Sequence, residues 1–217
     1  MRNDIKDTKN VKLEILFNWA ANNPVKPTNK YRKILGLEDK VIFLYGGSIG
    51  YQQDVMNIIR LATRMQDIKE AHFLIVGAGD EVDLIKNAIK ERDLKNVTFL
   101  DAMPQQDFKE LLAECDVGLF TLNKNLTTHN FPGKLLGYMV QSIPILGSIN
   151  PNNDLKEVIE EANAGLVTIN GEDEKFYQNA LKMLNKRYRE YYGANAKRLL
   201  DEKFSIKSAA KKILQSA

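Results

Sequence analysis

Short apolar runs alternate with longer amphipathic stretches along most of the chain, beginning at Lys40. The runs are rich in β-branched residues and apolar on both faces, which is typical of parallel strands covered by helices on either side. Six strands are predicted, at Val41–Tyr45, His72–Val76, Val97–Leu100, Asp116–Thr121, Ile143–Leu146 and Gly165–Ile169. The pattern therefore predicts an α/β fold built on a doubly wound, parallel, six-stranded Rossmann-like sheet.

The stretches between the strands repeat their apolar residues with the period of an α-helix. Five helices are predicted between strands, at Gln52–Met65, Asp80–Arg92, Gln105–Glu114, Gly133–Gln141 and Asp154–Ala162. Three more follow the sixth strand, at Glu174–Asn185, Glu190–Glu202 and Lys207–Gln215. Ser205 is a suitable N-cap for the last of them.

The first 39 residues have a different pattern. A single strand is predicted over Val11–Phe17, and the segment Asn23–Asn29 holds two prolines among polar residues, as a linker does. A lone strand is not stable without neighbours. We interpret residues 1–39 as the last strand of a preceding domain with an interdomain linker, residues 40–184 as the principal domain, and residues 185–217 as helices that pack back on it.

Composition excludes several kinds of site. Hydrophobic residues make up 44% and charged residues 27% of the 217 residues, as in an ordinary globular protein. Cys115 is the only cysteine, and His72 and His129 are the only histidines. These counts exclude a disulfide framework and a Cys-rich zinc site, and we expect no metal. No apolar run approaches the roughly 20 residues of a membrane-spanning helix, so we expect a cytoplasmic protein.

The net charge of +3 conceals a basic C-terminus. Residues 182–217 contain ten Lys and Arg against three Asp and Glu. A charge-rich helical face is usually solvated, and the alternative is contact with an anionic membrane surface, which would place the protein at the inner face of the membrane. Nucleic-acid binding is not expected, because the spacing of Tyr188, Tyr191 and Tyr192 suits helix packing as well as base stacking.

Ligands of doubly wound sheets bind at the carboxyl ends of the strands, so the loops there hold the candidate chemistry. The glycine-rich turn Gly46–Gly50 could hold phosphate on its backbone N–H groups, or serve only close strand–helix packing. No Gly-Lys-Ser/Thr follows it, which excludes a Walker-type loop. The segment Gly77–Glu81 lacks the third glycine of a dinucleotide fingerprint, and Asp80 is predicted to cap the next helix.

The longest of these loops ends in His129-Asn130-Phe131-Pro132-Gly133-Lys134 at a predicted helix start. A histidine there is usually a surface or capping residue. Followed by Pro, Gly and Lys, it becomes a candidate anion site.

Four segments resemble the C-terminal, nucleotide-sugar-binding half of family-4 glycosyltransferases with the GT-B fold. They are residues 47–53, 73–79, 97–104 and 131–144. The last segment is the most specific, because its Pro-Gly-Lys-Leu-Leu and Ile-Pro-Ile-Leu sequences are similar to the helix and strand that carry the family's two-glutamate signature. The Gly-Ser-Ile-Gly-x-x-Gln form is most similar to bacterial enzymes that build O-antigen or capsular polysaccharide.

The resemblance implies a retaining glycosyltransferase that transfers a hexosyl or N-acetylhexosaminyl group from a nucleotide-sugar. It implies a UDP-sugar donor, a glycan or lipid-linked acceptor, and no cofactor. The residue roles that it implies are diphosphate binding by Gly47, Ser48, Gln53 and Lys134, sugar binding by His129, Asn130 and Phe131, base and ribose binding by Met103 and Gly137, and catalysis by His129 and Lys134. We expect the loops after strands one, three and four to converge on one pocket.

The sequence departs from the family at its charged positions. His129 and Gly137 stand where the two glutamates are expected, and Ser48 and Gln53 where the first loop has Arg and Lys. Positioned cations stabilise the charge that develops on a leaving diphosphate. A charge-assisted hydrogen bond contributes about 1.5–3 kcal/mol and a helix N-terminus about 0.3–1 kcal/mol, so helix ends do not replace two lost cations. The alternative function is a non-catalytic nucleotide- or protein-binding module.

Acceptor binding in such enzymes needs the facing N-terminal domain. The segment Ile15–Ala20 is similar to the strand and Asn-Trp turn that close that domain. We therefore expect the chain to need the missing domain or a partner chain, and to be inactive in transfer by itself. An apolar strip left on the C-terminal helices would favour a homodimer. A sugar-nucleotide epimerase is a weaker alternative, because it would need paired acids and several cleft histidines.

Overall fold

Six parallel strands form one sheet in the order β3-β2-β1-β4-β5-β6 in a computed structural model that describes residues 16–128 and 131–216. The strands are β1 (Val41–Ser48), β2 (Ala71–Ala78), β3 (Val97–Asp101), β4 (Val117–Thr121), β5 (Ile145–Ile149) and β6 (Gly165–Ile169). The winding direction reverses between β1 and β4, which opens a crevice at their carboxyl ends. The predicted doubly wound sheet is confirmed.

Helices connect the strands and continue after β6. They are α1 (Lys30–Leu35), α2 (Met56–Arg64), α3 (Val82–Glu91), α4 (Gln105–Leu112), α5 (Lys134–Val140), α6 (Leu155–Glu161), α7 (Asp173–Met183), α8 (Lys186–Leu199) and α9 (Ile206–Ser216), with a π-helical turn at Leu200–Phe204. Ser205 caps α9 as predicted, because its Oγ accepts a hydrogen bond from the Ser208 N–H at 3.1 Å. The prediction for Asp80 was wrong, since Glu81 occupies the cap position of α3 and no side chain caps that helix.

Across the described ranges, no helix combines the length and apolar character needed to span a membrane.

Both faces of the sheet are covered by hydrophobic layers. In β1, Ile42 and Leu44 pack with α4, α5, α6 and α8, whereas Phe43 and Tyr45 pack with α2, α3 and α7. Successive side chains of a strand point to opposite faces, so a strand buried on both faces must be apolar throughout. This packing explains the uninterrupted apolar runs of the sequence.

The segment before β1 lies against the C-terminal helices. Ala20 forms an isolated parallel bridge with Ser205, and the Phe17 and Phe204 ring centroids are 5.1 Å apart. The strand predicted over residues 11–17 falls mostly outside the described residues, and Leu16 and Phe17 are not in a strand. Helix α1, which the sequence pattern did not predict, directly follows the linker-like segment Asn23–Asn29.

Glu114, at the end of α4, fixes the start of α1. Its carboxylate accepts hydrogen bonds from the backbone N–H groups of Lys30 at 2.9 Å, Tyr31 at 2.9 Å and Arg32 at 3.0 Å, and from Thr28 Oγ1 at 3.0 Å. The side chain of Asn29, the N-cap residue of α1, makes no capping hydrogen bond to these groups. A carboxylate from another element therefore replaces the local cap.

Candidate functional site

A crevice opens at the carboxyl ends of the strands, where two neighbouring cavities meet. The first cavity, about 510 Å³, lies between the ends of β1 and β2 and the loop after β3. The second cavity, about 280 Å³, lies between the ends of β1 and β4 and the residues that lead into α5. Gly46, Gly47, Ser48 and Lys134 line both cavities. The loops after β1, β3 and β4 therefore converge, as expected.

The end of β1 brings the backbone close to the crevice. Gly47 has a φ of +128°, a conformation that other residues adopt only with strain. A Cβ atom at Gly46 would lie 2.3 Å from Cζ of Phe108, so this glycine lets the Phe108 ring pack against the strand. The Tyr45 hydroxyl donates to the Ser48 carbonyl oxygen at 2.6 Å, which fixes the turn. Gly47 therefore allows the backbone conformation at the end of β1, and Gly46 allows Phe108 to pack beside the crevice.

Lys134 stands between the two cavities. Its Nζ lies 3.5 Å from the centroid of the Tyr45 ring, and it makes no ion pair and no hydrogen bond with any residue that the structure describes. Burial lowers its pKa to about 7. Burial also raises the pKa of Tyr45, so the phenol stays neutral and provides no countercharge. A cation–π contact compensates only partly for the lost hydration of an ammonium group, which leaves Lys134 ready to bind an anion.

The two cavities differ in polarity. The first cavity is mostly apolar, with Val76, Ala78, Ala102, Met103 and Phe108 among its lining residues. The second cavity includes the polar side chains of Gln53 and Thr121. Within residues 16–128 and 131–216, Lys134 is the only charged side chain lining either cavity. The crevice therefore suits a ligand with a flat or apolar part, an anionic centre and a polar end.

The structure brings together five of the predicted site residues, namely Gly47, Ser48, Gln53, Met103 and Lys134. Gln53 reaches the site because its N–H donates to the Gly50 carbonyl oxygen at 2.9 Å, in the turn after β1. Met103 lies two residues after the end of β3. These residues lie at or just beyond the carboxyl ends of the strands, or at the start of α5, which is the edge where the sequence pattern placed the candidate chemistry. Their individual roles were implied by the resemblance to the family.

Gly137 and Phe131 lie apart from the two cavities. Gly137 lines a third cavity of about 270 Å³, formed by α4, α5 and residues 20–25, which shares Gln105 with the first cavity. The Phe131 ring packs 4.8 Å from the Phe204 ring. His129 and Asn130 fall outside the described residues. The sugar, ribose and catalytic roles predicted for these four residues stay predictions.

The sequence prediction missed Phe108, which lines the first cavity, and Tyr45, which lies buried beneath Lys134. Tyr45 was predicted to end the first strand and Phe108 to lie in a helix, with no role in binding. Tyr45 is the last large apolar residue of β1 and directly precedes the glycine-rich turn. This position next to a candidate binding loop was a signal in the sequence. Phe108 carries no comparable signal, because only the packing of α4 against β1 brings it to the crevice.

The chain matches known proteins over most of its length. The family model for glycosyl transferases group 1 matches residues 27–199. The glycosyltransferase WbjE of Pseudomonas aeruginosa is 27% identical over 150 residues, covering 67% of this chain and 37% of that protein. The colanic acid biosynthesis glycosyl transferase WcaI of Escherichia coli (strain K12) is 30% identical over 98 residues, or 45% of this chain and 24% of that protein. The matched part of the chain thus spans little more than a third of WbjE and about a quarter of WcaI.

Solved structures share the fold. HepE of Anabaena, in complex with UDP-glucose, superposes with a TM-score of 0.78 at 17% identity, over 94% of this chain and 56% of that one. WaaG, a glycosyltransferase involved in lipopolysaccharide biosynthesis, superposes with a TM-score of 0.66 at 18% identity, over 84% of this chain and 48% of that one. In both cases the likeness covers about half of the larger chain.

Proposed function

The chain belongs to the glycosyl transferases group 1 family, and from that premise we propose that its crevice binds the nucleoside diphosphate of a sugar donor. Lys134 is the observation that carries the proposal. It is a partly buried ammonium whose pKa burial lowers to about 7, with an aromatic ring beneath it and no anionic partner among the described residues. A bound diphosphate would supply the missing negative charge.

The two cavities suggest how the donor lies. The apolar first cavity, with Met103 at its edge, suits the base. The diphosphate would lie over Gly47 and Ser48 within reach of Lys134, and the sugar in the polar second cavity beside Gln53. We propose UDP as the nucleotide, which is supported by the structure of HepE in complex with UDP-glucose. The sugar contacts predicted for His129, Asn130 and Phe131 belong to the same proposal.

The chemistry required of the protein is modest. As the glycosidic bond breaks, negative charge develops on the leaving diphosphate, and Lys134 would stabilise it. We propose retention of configuration, with the acceptor attacking on the side of the leaving group and a phosphate oxygen taking its proton. Such a reaction depends mainly on positioning, so it needs few acids and bases from the protein.

Bacterial surface polysaccharide is the product class that we propose. The names of WcaI, in colanic acid biosynthesis, and of WaaG, in lipopolysaccharide biosynthesis, support it. The acceptor would be a glycan or a lipid-linked glycan, bound between this domain and a second domain.

A second candidate is a non-catalytic nucleotide-binding module with the same fold. Ser48 and Gln53 favour it, because both line the crevice without carrying charge. With Lys134 as the only cation among the described lining residues, the diphosphate could bind while the transition state is stabilised weakly.

Calorimetric titration with UDP tests the proposal. The native chain should bind UDP, and Lys134→Met should weaken binding about 10- to 150-fold, which corresponds to the loss of one charge-assisted hydrogen bond of about 1.5–3 kcal/mol. Lys186→Met is the matched control, because Lys186 is exposed and lines neither cavity. A native chain that binds neither UDP nor a UDP-sugar would rule out donor binding. If Lys134→Met and the native chain bound UDP with equal affinity, Lys134 would have no role in binding the diphosphate.

A further inference from the structure

Asn170, directly after β6, is a buried residue outside the two cavities, with only 5% of its surface exposed. Its Nδ2 donates to Asp54 Oδ2 at 2.8 Å and to the Leu122 carbonyl oxygen at 2.9 Å. Its Oδ1 accepts from Arg60 Nη2 at 3.3 Å. The acceptors on one side and the guanidinium on the other fix the orientation of the amide, and both ends of the side chain are satisfied.

The two acceptors belong to the two loops that border the second cavity. Asp54 follows the cavity residue Gln53, and Leu122 itself lines the cavity at the end of β4. Asp54 has a φ of +46°, in the left-handed region that costs free energy for a residue other than glycine. The hydrogen bond from Asn170 therefore helps hold the turn after Gln53 in a conformation that it would not adopt freely.

Other polar contacts hold the same two loops together. Arg60 Nη2 also donates to Asn57 Oδ1 at 3.0 Å, and Asn57 Nδ2 donates to Oγ1 of the cavity residue Thr121 at 3.1 Å. The Asn123 N–H donates to the Gln52 carbonyl oxygen at 2.9 Å. Asn170, which follows β6, also ties both loops to the end of β5, since its own N–H donates to the Ile149 carbonyl oxygen at 2.7 Å.

We propose that Asn170 is a positioning residue for the diphosphate and sugar end of the donor site. It clamps the loop after β1 to the end of β4, and so fixes Gln53 and the backbone of that loop without touching the ligand. A crevice with a single lining cation among its described residues depends on polar groups that are already in place before the ligand binds. This inference rests on the proposed binding of a nucleoside diphosphate.

The variant Asn170→Asp changes one edge of the clamp. The oxygen that faces Arg60 keeps its donor, whereas an oxygen replaces the Nδ2 that faces Asp54 and the Leu122 carbonyl. UDP affinity should fall about tenfold, as expected when a buried polar contact turns repulsive. Affinity for uridine, which lacks the phosphates and would occupy the first cavity, should stay within about twofold in NMR titrations. A purely structural role would lower the melting temperature and leave the ratio of UDP to uridine affinity unchanged.

Two further variants sharpen the test. Adding Asp54→Asn to Asn170→Asp returns a donor to the pair, and should recover part of the lost UDP affinity. Asn96→Asp is the matched control, because Asn96 is also buried, donates from Nδ2 to the Ala62 carbonyl oxygen at 2.9 Å, and lines neither cavity. It should lower stability without changing the UDP to uridine ratio.

The outcomes are distinct. If the native chain binds UDP and Asn170→Asp keeps the native ratio of affinities, Asn170 has no positioning role. If Asn170→Asp does not fold, Asn170→Ala, which removes the clamp without adding repulsion, gives the same comparison. If the native chain binds uridine and UDP with the same affinity, the crevice does not bind a diphosphate. The proposed role of Asn170 is then wrong as well.

Discussion

Lys134 shows how the surroundings of one residue define its chemistry. A lysine on the surface keeps its charge far above neutral pH, whereas burial lowers the pKa of Lys134 to about 7. The Tyr45 ring under its Nζ stabilises the charged form only in part. Near neutral pH the free crevice therefore contains both protonation states of this residue, and an anionic ligand selects the charged one.

UDP affinity should consequently fall as the pH rises above 7. Binding raises the pKa of Lys134, so the complex takes up a proton wherever the free lysine is neutral, and the affinity can lose up to about tenfold per pH unit. Calorimetry at pH 7, 8 and 9 measures this slope, in a range where the terminal phosphate of UDP, with a pKa near 6, is already ionised. Lys134→Met should show a flat profile, and a slope in this variant equal to that of the native chain would contradict the prediction.

Among the helices, α1 depends most clearly on another element. Its six residues, Lys30–Leu35, have no buried member and no side-chain cap of their own. Helices this short are not stable in isolation. The carboxylate of Glu114 satisfies three N–H groups of its first turn, which ties the segment before β1 to the end of α4.

Replacing this carboxylate should have a measurable, pH-dependent cost. Glu114→Gln should lower the free energy of unfolding at pH 7 by about 1–3 kcal/mol, because three partly buried N–H groups lose a charged acceptor. Desolvation by itself would raise the pKa of Glu114, but the hydrogen bonds from Arg32, Thr28 and Lys30 outweigh it and hold the pKa below the usual value. The contribution is therefore present above the unfolded-state pKa and is lost as the pH falls through the lower folded-state value.

Urea unfolding at pH 7 and at progressively lower pH checks this expectation. The difference between native chain and Glu114→Gln should shrink as the pH falls. Glu110→Gln is a suitable control, because Glu110 makes an ion pair with the exposed Lys30 at 3.2 Å, and such surface pairs are worth less than about 1 kcal/mol. A gap that stays constant down to the lowest pH would show that the charge of Glu114 is not what stabilises α1.

At the scale of the whole molecule, the chain corresponds to part of its relatives. It spans 37% of WbjE and 56% of the HepE chain that shares its fold. Large apolar side chains are exposed on the N-terminal segment and on α9, namely Leu16, Trp19, Ile206, Ile213 and Leu214. Exposed apolar surface of this kind favours association with another domain, a partner chain or a second copy.

We predict that this polypeptide binds the donor by itself and transfers the sugar only when a second domain faces the crevice to hold an acceptor. Incubation with a radiolabelled UDP-sugar and a lipid-linked glycan extract measures this, with calorimetry on the same preparation confirming that the donor binds. Detectable transfer by the chain alone would show that a facing domain is not required.

Much of the fold was predictable because its signals are local. Strands buried on both faces must be apolar at every position, and the helices between them repeat with their own period, so β1 to β6 could be placed from the pattern. The same order predicted the turn Gly46–Gly50 and the segment ending at Lys134 as candidate binding segments, because loops at one edge of a parallel sheet meet, whereas the resemblance to the family implied the roles of single residues. The ends of the helices were predicted less accurately than their presence. Helix α2 begins at Met56, four residues after the predicted Gln52, because the turn at Gly50 continues through Asp54.

The sequence by itself thus determined which segments become strands and helices, and which loops gather at one edge of the sheet. Only the tertiary structure decided that Lys134 lies over Tyr45, that Glu114 caps α1, and that Asn170 joins the loops of Asp54 and Leu122. The reason is physical. Secondary structure follows from neighbours along the chain, whereas desolvation and hydrogen-bond partners come from segments far apart in sequence that meet only when the chain packs.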